Sequence, residues 1–363
     1  MQRIIIAALL LFVSIPTALA QTETPKKLDE LVQMIESKTE DIQGGAMAIL
    51  YKGKVVYKKT FGYRKGDQGE IDSSTLFPLA SVSKPVAAMA IALLVDKGKV
   101  RLDERFKLPC LKNPVTLKHI LSHTTGYNFL GNPQIEKGIG RKKLLEKLKQ
   151  QKPQCAPGGC FTYSNAMYSL AEDALQTKGI SLQTAIGGLR NALNTKGVQL
   201  VPINKEFQVA YPHVDGEHGM KTLPFPPFYP KATPAAAGVF ASLDGMIEVF
   251  KLSFGYRPDL VSEKTLNLMQ TPVISNRDID NWGGFDWPCD PKQIESFYAL
   301  GWRILKDKNQ PGKEMIFHGG SIAGISTFIG YVPAEEIGVI ILLNQGSRVA
   351  PGAGITFWYD VIS

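Results

Sequence analysis

The sequence predicts an α/β (α+β) protein of two lobes, in which an antiparallel β-sheet flanked by helices is accompanied by a mostly helical lobe. Three observations predict it. Segments with strand-like alternation occur near both ends of the chain. The stretch between them reads as helical. The two groups of strands can join into one antiparallel sheet whose faces helices would cover. The α/β lobe is expected over about 21–105 and 235–363, the helical lobe over about 106–234, and the whole as one catalytic-sized unit. That layout leaves a cleft between the lobes, where sites tend to lie.

The elements follow in order. Residues 1–20 carry Arg3, an apolar run over 4–13, Pro16 and the small-residue end Ala18-Leu19-Ala20, the pattern of a secretory signal peptide. The apolar run is shorter than the roughly 20 residues that span a bilayer, so no stable membrane insertion is expected. No cysteine stands near the cleavage site, which argues against a lipid anchor there. The mature chain is expected to begin near Gln21 and to be periplasmic or secreted.

A helix is expected over 26–38, with Leu28, Leu31, Val32 and Ile35 on one face. A β-hairpin is expected over 45–63, with strands at 47–51 and 55–57 and a turn at Lys52-Gly53. A helix follows over 81–97 and ends at Gly98. The helical region beyond it has many loops and a proline-rich end at Pro224, Pro226, Pro227, Pro230 and Pro234. Helices are expected again at 242–254 and 262–269. Strands return at 299–305, 314–317, 326–332 and 337–343.

The composition, 44% hydrophobic and 20% charged, is that of an ordinary globular protein. The formal net charge is +8, and cleavage after Ala20 would leave +7. The basic residues are scattered, and an exported protein rarely meets nucleic acid, so a nucleic-acid partner is not expected. One cluster, Lys142, Lys143, Lys147 and Lys149, is interleaved with Leu144, Leu145 and Leu148 and reads as the solvated face of a helix. The cysteines, Cys110, Cys155, Cys160 and Cys289, suggest up to two disulfides in an exported chain. Four cysteines allow three connectivities. Cys155 and Cys160 bracket a turn that could bring them together.

Three motifs carry chemistry. In Ser81-Val82-Ser83-Lys84, residues three apart at a helix start share a face, so the lysine amine can stand beside the serine hydroxyl. Serine needs such a base, and lysine serves as one only when burial or nearby positive charge lowers its pKa. Pro85 is tolerable because it falls in the first helical turn. In Tyr163-Ser164-Asn165 a phenol could share a proton with that lysine, and Asn165 offers a donor and an acceptor to an amide. In His318-Gly319-Gly320-Ser321 two glycines would let a substrate backbone approach closely. The Ser321 N–H could join the Ser81 N–H as an oxyanion donor. Taken singly, each motif also fits an ordinary helix start, surface turn or hairpin.

Together and in this order they resemble the penicillin-recognising serine hydrolases. The branch is that of class C β-lactamases, D-Ala-D-Ala carboxypeptidases, D-aminopeptidases and related esterases. Further stretches resemble it: 76–80 before the serine, Leu121-Ser122-His123-Thr124-Thr125-Gly126, Pro157-Gly158, the segment 237–242, and Leu300-Gly301-Trp302. The resemblance runs from about Gly45 to Asn344. It implies a β-lactamase/transpeptidase-like fold, Ser81 as nucleophile, Lys84 and Tyr163 as the base system, and an oxyanion hole from the N–H groups of Ser81 and Ser321. It implies substrate contacts from Asn165, His318, Gly319 and Gly320, no metal and no cofactor. The substrates implied are small molecules or peptides, such as peptidoglycan peptides or β-lactams.

One departure matters. The third motif of the β-lactamases is often Lys-Thr-Gly, and here it is His318-Gly319-Gly320. Histidine need not be charged at neutral pH, and Gly319 has no hydroxyl to hold a carboxylate. The expectation is therefore a D-Ala-D-Ala carboxypeptidase-like or D-amino-acid peptidase. A class C-like β-lactamase or small-ester esterase is the alternative, and a non-catalytic binder of cell-wall peptides is a third. Two outside readings stand beside these. A Ser-His-Asp enzyme could use His123 or His318, but no Gly-x-Ser-x-Gly elbow occurs, and the nearest stretch is 319–323. A metal enzyme could use the loop 213–218, with His213, Asp215, Glu217 and His218, though its spacing follows no common zinc pattern.

Overall fold

The structure is a computed structural model that describes residues 27–200, 207–217, 219–224, 228–276, 288–346 and 348–363. The expected signal peptide over 1–20, His218, Pro226 and Pro227 lie outside the described residues. Among the described residues, no helix is long and apolar enough to cross a membrane.

The organising element is one antiparallel sheet built from both ends of the chain. Its strands are β1 (Gly44–Tyr51), β2 (Lys54–Lys65), β3 (Gln68–Glu70), β4 (Ile274–Ser275), β5 (Ile294–Tyr298), β6 (Arg303–Asp307), β7 (Met315–Ile322), β8 (Ile325–Val332) and β9 (Ile337–Leu343). The order across the sheet is β4-β5-β6-β7-β8-β9-β1-β2-β3. The N-terminal hairpin joins the C-terminal strands where β1 pairs with β9, in the register Gly45↔Leu343 to Tyr51↔Ile337. The second strand is longer than the expected 55–57, because β2 runs along β1 to Gly62 and then pairs with β3 through Tyr63 and Lys65. The expected strand at 299–305 falls instead on β6, and β5 before it was not anticipated.

Strand pleating sends alternate residues to opposite faces, and both faces are covered. Met47, Ile49, Ile341 and Phe328 pack with Leu31, Ile35, Phe357 and Trp358 on one side. Ala48, Leu50, Ile329 and Ile340 pack with Val86, Met89 and Phe250 on the other. The longest helices are α1 (Leu28–Thr39), α2 (Ser83–Asp96), α3 (Leu182–Ala192), α4 (Leu243–Ser253) and α5 (Val349–Ile362). Helices α1 and α5 therefore cover the first face, and α2 and α4 the second. Helix α5 has no counterpart among the expected elements. Its glycines and Pro351 break the sequence signal of a long helix.

The middle of the chain is helical but not wholly so. It contains short helices such as Leu117–Leu121 and Leu170–Gln176, together with α3. It also has strands Val198–Leu200, His213–Gly216 and Gly219–Thr222. Its apolar side chains belong to the same continuous cluster as the second sheet face, so one core runs through both lobes.

Two glycines set how close the sheet comes to α2. A Cβ on Gly320 would stand 2.6 Å from the Leu79 carbonyl oxygen and 3.0 Å from the Ser81 nitrogen. Gly301, at φ +82°, lies against the Lys84 carbonyl oxygen, 3.1 Å from where a Cβ would be. The Thr327 hydroxyl, opposite Gly320, donates to the same Leu79 oxygen at 2.7 Å. Gly320→Ala should force these backbones apart and lower stability by about 1–3 kcal/mol, as overpacking does. The denaturant midpoint measures it, and an unchanged midpoint would show that the interface yields.

Candidate active site

The approach to Ser81 is strained. Ala80 sits at φ +48°, a left-handed conformation that L-residues avoid. A 3₁₀ turn, Ala80–Val82, then leads directly into α2. Ser81 is thereby lifted at the helix start, and Lys84 comes one turn later on the same side. Pro85 lies in the first turn of α2, where its missing N–H would have had no partner.

Lys84 is completely buried, and its ammonium meets three acceptors. Its Nζ donates to Ser81 Oγ at 3.1 Å, to Asn165 Oδ1 at 2.7 Å and to the Ala236 carbonyl at 3.2 Å. An ammonium has three N–H donors, so the set is matched. None of the three acceptors carries a negative charge. Burial therefore lowers the lysine pKa, opposed by Tyr163 and helped by the positive charge of Arg303. A deprotonated Lys84 could keep its bonds to Asn165 and Ala236 and turn its lone pair to the Ser81 proton.

Tyr163 lies beside this pair, with its ring centroid 4.7 Å from Lys84 Nζ. Burial alone would raise its phenol pKa. The charges of Lys84 and Arg303, and hydrogen bonds from Lys84 and Ser81, more than offset that and lower it. The two groups titrate as a pair. Arg303 was not anticipated from sequence. Its guanidinium carbon is 4.9 Å from the Tyr163 ring centroid and 5.5 Å from that of Tyr298. The clue lay in Leu300-Gly301-Trp302, since the glycine that lets this strand reach Lys84 immediately precedes Trp302 and Arg303.

Asn165 opens a short helix whose N-cap is Ser164. The Ser164 hydroxyl accepts from Met167 N–H at 3.1 Å and donates to the Phe129 carbonyl at 2.6 Å. The cap fixes the Asn165 side chain between Lys84 and Asn132, whose Oδ1 is 3.4 Å from Asn165 Nδ2. The segment that delivers Tyr163 is braced by a disulfide between Cys155 and Cys160. Next to it, Gly158 N–H donates to the Thr124 carbonyl at 2.7 Å and Thr162 N–H to the His123 carbonyl at 2.9 Å. Cys110 and Cys289 are free thiols.

A cavity of about 590 Å³ opens over these groups. Ser81, Tyr163, Asn165 and Ser321 line it, together with Asn132, Glu136 and Tyr229. Pro212, Leu223, Pro224 and Ile322 add apolar surface. The third motif is placed differently from the expectation of direct substrate contact. His318 is buried, with Nε2 3.0 Å from the Tyr298 hydroxyl, and does not line the cavity. Alternation along β7 turns Gly319 towards Pro351 and Gly320 towards Ser81, and neither lines the cavity. Ser321, beyond the last residue that pairs with β6, does line it.

The two outside readings can be compared with this geometry. His123 Nδ1 accepts from Ser164 N–H at 3.2 Å, and its ring packs on Tyr163 with centroids 4.4 Å apart. The side chain that donates to Ser81 Oγ is Lys84 rather than either histidine. In the loop 213–218, His213 Nε2 accepts from Gly66 N–H at 2.9 Å and Nδ1 lies 3.0 Å from the Asn344 carbonyl oxygen. Both of its nitrogens are engaged with backbone.

Burial, followed by the charges of Lys84 and Arg303, holds the pKa values of His123 and His318 well below the ordinary imidazole range. In the unfolded chain each would titrate near 6.5. Below that pH the unfolded state takes up protons that the fold refuses, so stability falls as pH falls. Each histidine contributes up to about 1.4 kcal/mol per pH unit to the decline. Unfolding free energies measured from pH 7.5 to 5 should show this loss. His318→Gln should flatten the slope, and an identical slope in the variant would exclude His318 as a source.

Known proteins resemble this chain over most of its length. The sequence profile of the family described as Beta-lactamase matches residues 31–356. The chain is 25% identical over 356 residues to the "Beta-lactamase" of Escherichia coli (strain K12), covering 88% of this chain and 90% of that protein. It is 27% identical over 272 residues to "Esterase EstB" of Burkholderia gladioli, covering 60% of this chain and 68% of that one. Among solved structures, the octameric penicillin-binding protein homologue from Pyrococcus abyssi superposes with a TM-score of 0.74 at 23% identity. That match covers 91% of this chain and 76% of the other. EstCE1, a hydrolase with promiscuous acyltransferase activity, gives 0.72 at 19% identity, with 92% and 98% covered. The profile spans most of the sequence, and the chain belongs to the β-lactamase family of serine hydrolases.

Proposed function

We propose that this chain is an exported hydrolase that works through an acyl-enzyme on Ser81 and acts on D-amino-acid peptides, amides or small esters ahead of β-lactams. The observation that carries the reading is the buried Lys84 donating to Ser81 Oγ with no carboxylate among its partners. In the first step the Lys84–Tyr163 pair takes the Ser81 proton while Oγ bonds to the substrate carbonyl carbon. The N–H groups of Ser81 and Ser321 receive the oxyanion. The carbonyl–nitrogen or carbonyl–oxygen bond then breaks, and the leaving group takes the proton from the pair. A water attacks the acyl-enzyme, gives its proton to the same pair, and the pair returns one to Ser81 Oγ.

Two features support the preference against β-lactams. The position that often carries lysine in β-lactamases holds His318, which is buried and kept neutral. Among the described residues that line the cavity there is no lysine or arginine. A substrate carboxylate would therefore find no counter-charge on that wall. This favours amides and esters with an uncharged leaving group over peptides that present a free C-terminal carboxylate. A pure binder of cell-wall peptides has no use for a costly buried lysine on a serine.

Phenyl acetate hydrolysis should fall by on the order of 10³ or more in Ser81→Ala and in Lys84→Ala. Intact mass should show an acyl adduct that maps to Ser81. Full activity in Lys84→Ala would overturn the proton scheme. The pair must shed one proton to act as base, and the Arg303 charge makes that easier. Arg303→Met should therefore move the acid limb of kcat/KM to higher pH. A limb that stays in place would remove Arg303 from the proton-handling groups.

A further inference from the structure

The part of the cavity lined by Asn132, Glu136 and Tyr229 has a chemistry of its own. Asn132 and Glu136 are four residues apart on one short helix, so they share a face about 6 Å apart along the axis. Both line the cavity. Asn132 faces Asn165, which the acyl-enzyme reading assigns to the acyl amide, and Glu136 lies one turn further along the same helix. The Glu136 carboxylate accepts from the Tyr229 hydroxyl at 2.8 Å. Burial, and then this bond, raises the Tyr229 phenol pKa, so Tyr229 remains the donor. Glu136 is otherwise exposed to the cavity, with lone pairs to spare. Among the described lining residues it is the one carboxylic acid, and none is a lysine or an arginine; the apolar side chains of Leu223 and Pro224 line the same cavity.

We propose that Glu136, held by Tyr229, is a specificity residue that reads a positively charged amino group on the acyl side of the substrate. The preferred substrates are then amides and esters of amino acids with a free amine. This inference rests on the acyl-enzyme reading of Ser81 and adds the substrate class. A carboxylate attracts an ammonium and repels an acid, so one residue supplies both the preference and the exclusion.

The test compares the p-nitroanilides of D- and L-alanine with their N-acetyl counterparts at about pH 7, where the free α-amine is mostly protonated. The wild-type enzyme should favour the free amine of at least one enantiomer by about tenfold or more in kcat/KM, equivalent to about 1.4 kcal/mol. Glu136→Gln should bring that ratio close to one, and Tyr229→Phe should lower it part of the way. The ratio is internal to one sample, so it does not depend on how much of a variant is folded. Equal rates on the two substrates in the wild type would overturn the proposal, as would a ratio that survives Glu136→Gln. Turnover of phenyl acetate without turnover of any alanine anilide would overturn it too. Failure of the underlying serine mechanism is read separately, as phenyl acetate turnover that persists in Ser81→Ala.

Discussion

The structure depends on burying one lysine without a counter-ion. Lys84 is tolerated inside the protein because three elements each bring it an acceptor: the strained turn at Ala80–Val82, the cap at Ser164 with Asn165, and the short helix that carries Ala236. Each comes from a different part of the chain. Remove any one and a buried N–H is left unpaired, at a cost of roughly 1–3 kcal/mol. Much of the surrounding architecture serves this arrangement. Gly320 lets the sheet close on the nitrogen of Ser81, and Gly301 lets the next strand lie on the Lys84 carbonyl. The Tyr168 hydroxyl ties down that same carbonyl at 2.8 Å.

The same constraint explains the electrostatics. With neutral partners on the lysine and the Arg303 guanidinium near Tyr163, the lysine and the phenol are both easier to deprotonate than in water. His123 and His318, both buried, sit in that positive field and stay neutral. Their work is spatial: His123 receives the Ser164 N–H and stacks on Tyr163, and His318 holds Tyr298.

What was legible in the sequence was what local patterns encode. The i,i+3 spacing of Ser81 and Lys84, the Gly98 stop and the strand at Ile337–Leu343 all follow from periodicity and turn chemistry. Residues that matter through tertiary approach were not legible. Nothing near Arg303 in sequence says that it will lie over Tyr163, and nothing near Glu136 says that it will meet Tyr229, 93 positions further on. His318 was misplaced for a simple reason. A period of two puts it on the same face as Gly320, which meets Ser81, but the letters do not say that its ring is buried there against Tyr298. Helix α5 was hidden by its glycines, which are packed where Phe328 leaves no room for a Cβ on Gly354.

The central strand order has a consequence for how the molecule comes into being. β1 is laid down first during synthesis, yet its ladder partner β9 is close to the other end of the chain. Until β9 arrives, β1 and β2 are a lone hairpin with an exposed, apolar edge, which is marginal in water. Contacts of such sequence separation make folding slow, because a very long loop must close before they are rewarded. The nucleophile is translated early, but β7, which brings Gly320 and Ser321 to it, comes late. The site therefore cannot assemble on a partial chain, and any route that delivers the chain across a barrier unfolded would cost it no structure it already had.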